Sequence, residues 1–296
     1  MNPVLRRFDQ ASEPWGPCTG ALAIGEREIH LSGLSEEQEA SLAHAFADFW
    51  RSGVAESAAV DGPRVRLVDA GGGYWNGAPE PNELYRVEPL SEEGRMLALA
   101  YAFALEEQGD GYKLAIATET HEPAYQTIEN GLRLVVARDA VRCGGFAMHA
   151  AGLVREGRAW LFAGPSNSGK TTVVTMSQPA ISLGDDLALV LPEEDGWRTP
   201  ALPFDNAPVA PPRPQQATYP VAGIFKLVQD DEHRIERPSG LIAATSLAGL
   251  LALPWAMPDL GGRLLEQATR FCQQATFGHL HFKKDAEFWP LLEGGG

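Results

Sequence analysis

Cysteine is scarce in this sequence: its 296 residues include three, Cys18, Cys143 and Cys272, which lie far apart along the chain. They form no CxxC pair, so the sequence offers neither a disulfide framework nor a cysteine-based zinc site. Scattered cysteines of this kind are typical of proteins in a reducing compartment. We therefore expect a cytoplasmic protein.

Long apolar runs and positive charge are also lacking. The most apolar stretch, residues 241–257, contains Thr245, Ser246 and Pro254 and is shorter than the roughly 20 apolar residues of a membrane span. The N-terminus has two arginines with no apolar run after them, which predicts no signal peptide. The net charge of -15 argues against a nucleic-acid partner, because contact with a phosphate backbone needs patches of lysine and arginine. We expect neither a membrane nor a nucleic acid as partner.

Helix and strand patterns alternate along the chain, which favours an α/β protein. A chain of 296 residues is longer than one domain of ~100–200 residues, so we predict two domains, with one domain and a large extension as the alternative. Residues 1–142 are predicted to form a separate N-terminal α+β domain of unknown role, and residues 143–296 the domain with the chemical motifs. Apolar periodicity predicts helices over 35–50, 125–141, 239–252 and 262–275, and strands over 64–70, 96–107, 112–119, 221–229 and 279–284. The proline-rich segment 199–220 is predicted to contain no regular element.

Lysine is rare as well, and one of the few, Lys170, lies in GPSNSGKT (164–171), which matches the phosphate-loop pattern GxxxxGK[ST]. The strand-like RAWLFAG (158–164) leads into this loop, and TTVVTMS (171–177) can form a helix that leaves it. Backbone N–H groups of such a loop surround phosphate groups, and the positive end of the helix adds to the attraction. Lys170 would reach the β- and γ-phosphates and Thr171 would bind Mg²⁺; a glycine turn without a ligand is the alternative. The predicted nucleotide-binding residues are Gly164, Ser166, Asn167, Ser168, Gly169, Lys170, Thr171 and Thr172.

Two adjacent aspartates, Asp185 and Asp186, interrupt an apolar run in ISLGDDLALV (181–190). On a regular strand their side chains would point to opposite faces, but Gly184 predicts a bend at the strand end, where both could approach the phosphates. A bound Mg²⁺ would offset their mutual repulsion. We expect one to bind the metal and the other to act as base for an acceptor hydroxyl. An exposed Asp-Asp turn between two strands is the alternative.

These pieces together resemble the HPr kinase/phosphorylase family, whose kinase domain is related to phosphoenolpyruvate carboxykinases. The resemblance covers about residues 130–292 and rests on His149 in FAMHAAGLV, on the loop GPSNSGKT and on the aspartate pair in SLGDD. It implies that residues 143–296 form a P-loop, HPr-kinase-like domain that uses ATP and Mg²⁺ to phosphorylate a hydroxyl group.

The same resemblance implies roles for individual residues. Asp185 would be the catalytic base, and Asp186 with Thr171 would hold the metal ion. His149 would lie near the reacting phosphoryl group, where Lys170 supplies positive charge.

The sequence departs from that family beyond the loop. The family has a glutamate- and glycine-rich strand there, whereas YPVAGIFKLV (219–228) occupies its place without an acidic residue. The sequence is similar to the divergent branch found with peptide-modifying gene clusters, which implies a serine of a peptide or protein, or a small molecule, as acceptor. The resemblance also implies that the chain could form a homo-oligomer. A nucleotide-binding regulatory or scaffold protein without phosphoryl transfer is the alternative, and a small-molecule carboxykinase is a third interpretation.

Two weaker features remain open. His279 and His281 alternate on one strand face, as a solvent-facing pair or as two ligands of a metal ion that would still lack a third. The segment 199–220 contains Arg213 and is either a substrate-gating loop or a plain connector.

Overall fold

The computed structural model describes residues 2–54, 62–79, 86–165, 167–178, 180–204, 217–252 and 258–294. Contacts within the chain divide it into two compact units, a first unit of residues 1–139 and 255–258 and a second unit of residues 140–254 and 259–296. Each unit contains a large β-sheet, so the fold is mixed α/β with more strand than helix. Within the described ranges, no helix is long and apolar enough to cross a membrane.

The described residues of the first unit contain one sheet and three α-helices. The strands are β1 (Cys18–Ile24), β2 (Arg27–Leu34), β3 (Trp50–Ser52), β4 (Arg64–Asp69), β5 (Glu88–Glu92), β6 (Arg95–Leu99), β7 (Phe103–Gln108) and β8 (Gly111–Ile116). They pair in the order β3-β1-β2-β4-β8-β7-β6-β5. Strand β4 is parallel to both of its neighbours, and the other pairs are antiparallel. The helices are α1 (Pro3–Gln10), α2 (Glu36–Phe46) and α3 (Ala124–Arg142), the last turn of which passes into the second unit.

Helix α2 begins where the sequence predicts it. The hydroxyl of Ser35 accepts a hydrogen bond from the Gln38 amide at 3.2 Å, and the Gln38 side chain accepts one from the Ser35 amide at 3.0 Å. This reciprocal pair satisfies two N–H groups that the helix itself cannot. The helix ends at Phe46, before the predicted residue 50, because Ala47 has a φ of +41° and the chain continues into β3.

The strand predicted over residues 96–107 is in fact a hairpin, and that prediction was wrong. Strand β6 ends at Leu99 and β7 begins at Phe103, with the Ala100 amide donating to the Phe103 carbonyl oxygen at 2.9 Å. The turn residues are themselves buried and apolar. The sequence therefore has no polar or glycine signal to mark the reversal.

A charged network joins the β6–β7 hairpin to α1. The guanidinium group of Arg95 donates to both carboxylate oxygens of Glu106, at 2.6 and 2.8 Å, and also to Asp9 at 2.9 Å. The Glu106 carboxylate raises the pKa of Arg95, and Asp9 adds to the effect. Glu106 exposes 7% of its surface, and the ion pair with Arg95 offsets the cost of burying it.

The described residues of the second unit contain the other sheet. Its strands are β9 (Phe146–Met148), β10 (Ala150–Arg155), β11 (Arg158–Ala163), β12 (Ile181–Gly184), β13 (Ala188–Glu193), β14 (Gly196–Pro200), β15 (Thr218–Gln229), β16 (Arg234–Glu236) and β17 (Phe277–Phe282). The main path of the sheet is β12-β10-β11-β15-β14-β13-β9, and β17 pairs with β15 and β16. The helices are α4 (Lys170–Met176), α5 (Gly240–Ala248), α6 (Gly261–Gln274) and α7 (Trp289–Glu293).

Part of the proline-rich segment is regular after all. Residues 199–200 end β14 and residues 218–220 begin β15, where Pro220 pairs with Arg198. The prediction of no regular element over 199–220 was wrong at both ends, since proline is tolerated at the ends of strands. Arg213 and the rest of residues 205–216 lie outside the described residues, so the choice between a gating loop and a plain connector stays open.

Strand directions in the second unit bring several chain segments to one edge of its sheet. Strand β15 is parallel to β11 and to β17. Strand β10 is antiparallel to both β11 and β12, so β12 runs in the direction of β11. The carboxyl ends of β11, β12, β15 and β17 therefore meet at the same edge as the amino end of β10.

An aromatic core holds α4 against this sheet. Val173 and Val174 of α4 are buried in a cluster with Phe162, Phe225 and Phe282 of the strands, and α7 closes the same cluster. A β-branched pair has weak intrinsic helix propensity. Burial of both valines in the core compensates for it, so packing defines this short helix.

Candidate functional site

The turn between β11 and α4 has a backbone that requires glycine. Asn167 and Gly169 have positive φ angles of 66° and 106°. A Cβ atom on Gly164 would lie 2.6 Å from Ser168 Oγ, and one on Gly169 would lie 2.6 Å from Cζ of Phe282. Both glycines of the predicted loop are therefore fixed by close packing, and Gly169 also by its φ angle.

Lys170 is the first residue of α4, and its side chain lies back over the loop. Its Nζ donates to the carbonyl oxygens of Gly164 at 2.8 Å and Pro165 at 3.2 Å. Burial lowers the pKa of Lys170, while the charges of Asp186 and Asp185 act in the opposite direction. The ammonium group is thus held at the loop, with two carboxylates close enough to influence its protonation.

Contacts from neighbouring strands fix the loop in place. The Gly164 amide donates to the His149 carbonyl oxygen at 3.4 Å, and the Gln229 side chain donates to the Asn167 carbonyl oxygen at 2.8 Å. The hydroxyl oxygen of Ser168 is buried and has no hydrogen-bond partner among the described residues. A buried hydroxyl without a partner is unfavourable, and an oxygen-rich ligand in the loop would satisfy it.

The aspartate pair follows β12 at the same sheet edge. Gly184 ends the strand with a φ of +124°, which gives the bend that the sequence predicts. Asp185 is buried, exposing 4% of its surface, whereas the side chain of Asp186 is 27% exposed. The alternative interpretation, an exposed Asp-Asp turn, is therefore wrong for Asp185.

His149 stands beside the second aspartate. Its Nδ1 lies 3.3 Å from the carbonyl oxygen of Asp186 and 3.9 Å from that residue's Oδ1, and its side chain is 55% exposed. His149 thus lies beside Asp186, and both aspartates lie close enough to Lys170 for their charges to act on it. Their individual catalytic roles stay predictions.

The two threonines of the loop follow Lys170 in the first turn of α4. Thr171 is exposed and Thr172 is half-buried beside a cavity that Gly169 also lines. The hydroxyl of Thr171 and the carboxylate of Asp186 are oxygen donors of the kind that Mg²⁺ prefers. Ser166, predicted to contact the nucleotide, lies outside the described residues.

Sequence reasoning missed the residues on the far side of that cavity, which has a volume of about 580 Å³. They are the last residue of β15 and of β17 and the residues that directly follow each strand: Gln229, Asp230, Asp231, Phe282, Lys283 and Lys284. The adjacent lysines after an apolar strand were a usable signal, because the ends of parallel strands are where α/β proteins bind ligands.

The two histidines of β17 do not form a solvent-facing pair, and that prediction was wrong. His281 is buried, with Nδ1 at 2.9 Å from Asp230 and Nε2 at 3.2 Å from Glu236. His279 is half-buried, with Nε2 at 2.9 Å from Ser246 Oγ. Burial and the nearby ammonium group of Lys226 lower the pKa of His279. Both histidines are thus partnered within the protein.

A different histidine lies in the group with metal-binding spacing among the described residues: His233, Asp285 and Glu287. The amine of Lys283 lies 3.2 Å from Asp285 and 3.8 Å from Glu287, so a cation is already provided there by the protein. The group is accounted for as an ion-pair cluster.

A family described as SynChlorMet cassette protein ScmC is similar to this chain over residues 119–258. The matched region contains His149, the loop with Lys170, and the two aspartates, and it ends before β17. No curated protein matches the chain.

Proposed function

We propose that the protein is an ATP-dependent kinase with a P-loop, HPr-kinase-like domain over residues 143–296 and a separate N-terminal domain over residues 1–142. The observation that carries this proposal is that Lys170, Asp185 and Asp186 lie at one sheet edge, where the charges of both carboxylates act to raise the pKa of the lysine. A glycine loop alone would support nucleotide binding. A carboxylate pair beside its lysine supports phosphoryl transfer as well.

The loop residues fit a triphosphate with Mg²⁺. Gly164 and Gly169 have no room for a Cβ atom, the Ser168 hydroxyl lacks a described partner, and Lys170 brings a positive charge to the loop carbonyls. Thr171 and Asp186 would hold the metal ion. When bound, MgATP supplies the phosphoryl group, and the metal offsets the negative charge on it.

The chain's own residues would divide the chemistry as follows. Asp185 would accept the proton of the acceptor hydroxyl while that oxygen bonds to the γ-phosphorus and the bond to the β–γ bridging oxygen breaks, releasing ADP. Lys170 would stabilise the negative charge on the phosphate oxygens. His149, exposed beside Asp186, would hydrogen-bond to the reacting group.

The acceptor we propose is a hydroxyl of a peptide, a protein or a small molecule. The matching family is described as a cassette protein, which supports an acceptor that other proteins of such a cassette make or modify. The scattered cysteines and the use of ATP support a cytoplasmic location.

One observation favours a second function. Asp185, the proposed base, exposes only 4% of its surface, which also suits a carboxylate with a purely structural role. In that case the protein would bind the nucleotide and recruit a partner without phosphoryl transfer. The two functions share the loop and differ in whether Asp185 is needed for turnover.

The test follows the γ-phosphate of labelled ATP in an extract of the source cells. Four proteins are compared: the wild type, Lys170→Met, Asp185→Asn, and Asp195→Asn as a matched control. Asp195 lies between β13 and β14 with a side chain that is 74% exposed, so its loss should leave transfer unchanged. We expect label on a peptide, protein or metabolite with the wild type and the control, about 10²–10⁴-fold less with Asp185→Asn, and none with Lys170→Met.

Calorimetric titration with MgATP separates the two functions. Nucleotide bound by the wild type and by Asp185→Asn, with no label transferred by either, would replace the kinase with the nucleotide-dependent binding protein. Full transfer by Lys170→Met would overturn both.

A further inference from the structure

The cavity beside the loop is open to a ligand group larger than a phosphate. Its volume of about 580 Å³ lies within the roughly 300–1,000 Å³ typical of small-molecule sites. Gly169 and Thr172 form one wall, from the end of the loop and the first turn of α4. A triphosphate in the loop would therefore have this cavity directly next to it.

The opposite wall comes from the carboxyl ends of β15 and β17, which are parallel to the strand that enters the loop. Phe282, the last residue of β17, closes the cavity against Gly169, where an added Cβ would lie 2.6 Å from the ring. Crevices at the carboxyl ends of parallel strands are where open α/β sheets bind nucleotides. The two walls are thus joined at the loop itself.

Some charged side chains on that wall have ion-pair partners among the described residues, and others do not. Asp230 is already paired: it accepts hydrogen bonds from Arg234 at 2.5 Å and from the Asp231 amide at 2.8 Å, and His281 Nδ1 lies 2.9 Å away. Asp231 and Lys284 are exposed, and neither side chain has an ion pair within the part of the chain that the structure describes. A carboxylate and an ammonium group are therefore available at the cavity.

We propose that this cavity is the nucleoside subsite of the enzyme, in which Asp231 accepts hydrogen bonds from the ribose hydroxyls and Lys284 pairs with the phosphate nearest the ribose. The inference rests on the proposed function, because it needs a triphosphate in the loop. It adds that the ligand is recognised as a ribonucleotide: hydroxyl groups donate hydrogen bonds, and a carboxylate can only accept them. The base fills the remainder of the cavity above Phe282.

Binding measurements by calorimetry, with Mg²⁺ present, test this subsite without reference to activity. The ligands are ATP, inorganic tripolyphosphate, which has the phosphates and no nucleoside, and 2′,3′-dideoxy-ATP, which lacks both ribose hydroxyls. The proteins are the wild type, Asp231→Asn, Lys284→Ala and the control Asp195→Asn.

We expect the wild type and the control to bind ATP at least tenfold more tightly than tripolyphosphate. Asp231→Asn should lose about tenfold in affinity for ATP and nothing for tripolyphosphate, since a hydrogen bond to a charged group is lost. Dideoxy-ATP should bind the wild type more weakly than ATP does, and Asp231→Asn, which keeps one uncharged acceptor oxygen, should discriminate less between the two nucleotides than the wild type. Lys284→Ala should weaken the binding of ATP and tripolyphosphate alike.

Different results would contradict the subsite alone and the proposed function as a whole. Equal affinity of the wild type for ATP and tripolyphosphate would overturn the subsite and leave the phosphate loop standing. An Asp231→Asn variant that discriminates against dideoxy-ATP as the wild type does would also overturn it. If the wild type binds none of the three ligands, the proposed function is overturned and this inference with it.

Discussion

Replacement of Gly169 by alanine should destabilise the second unit through two separate effects. The φ of +106° is unfavourable for a residue with a Cβ, at a cost of about 1–2 kcal/mol. The new Cβ would also lie 2.6 Å from Cζ of Phe282, and overpacking of a buried ring costs roughly 1–3 kcal/mol. We expect a total loss of about 2–5 kcal/mol in the free energy of unfolding, measured by urea denaturation followed by circular dichroism.

Gly157 provides the matched control for the backbone effect. It has a φ of +74° in the β10–β11 turn, and a Cβ there would meet no described atom within 4 Å. Gly157→Ala should therefore cost only about 1–2 kcal/mol. The excess for Gly169→Ala measures the contact with the ring, together with the difference in φ between the two glycines.

A double-mutant cycle with Phe282→Leu isolates the ring itself. Leucine lacks the Cζ atom, so Gly169→Ala should cost roughly 1–2 kcal/mol less in the Phe282→Leu background than in the wild type. If Gly169→Ala costs no more than Gly157→Ala, or costs the same in both backgrounds, then contact with the Phe282 ring does not destabilise the variant.

Three further predictions concern a histidine, an ion pair and a thiol. The folded-state pKa of His279 is lowered, so its stabilising contribution is present above the ordinary histidine pKa and is lost as pH falls through the folded value. The melting temperature should therefore decline between pH 7 and 5, and His279→Gln should make that decline less steep. Glu106→Gln should lower the free energy of unfolding by about 1–3 kcal/mol, because Arg95 loses its paired carboxylate. The control Asp110→Asn, at a side chain that is 83% exposed, should change it by under about 0.5 kcal/mol. Urea titrations measure both. Burial raises the pKa of Cys272 to about 11, so its alkylation by iodoacetamide at pH 8 should be much slower in the native protein than in urea, as peptide mass spectrometry would show.

The loop and the aspartate pair could be predicted because their signals are local. A strand, a glycine-rich turn and a helix follow one another within residues 158–177, and each has its own pattern in the sequence. Gly184 marked the bend before Asp185 in the same way. Local patterns also located α2, with its capping box at Ser35.

The opposite wall of the cavity could not be predicted from such patterns, because it depends on which strands become neighbours. Gln229 and Phe282 are far from the loop in sequence and reach it only through the parallel pairing of β15 with β11 and β17. His281 shows the same limit. Alternation indicates which residues share a face of a strand, but not whether other groups cover that face. Here Asp230 and Glu236 lie against His281 and form ion pairs with it.

The position of Phe282 has a consequence for biosynthesis. The residue that closes the cavity at Gly169 is translated 113 residues after it, and a chain emerges from the ribosome N-terminal part first. Strand β15 and the phosphate loop can be synthesised long before β17 is available to pair with them. Until residue 282 has emerged, the nascent chain has the complete phosphate-loop motif but lacks one wall of the cavity. The proposed nucleotide site is therefore complete only late in translation.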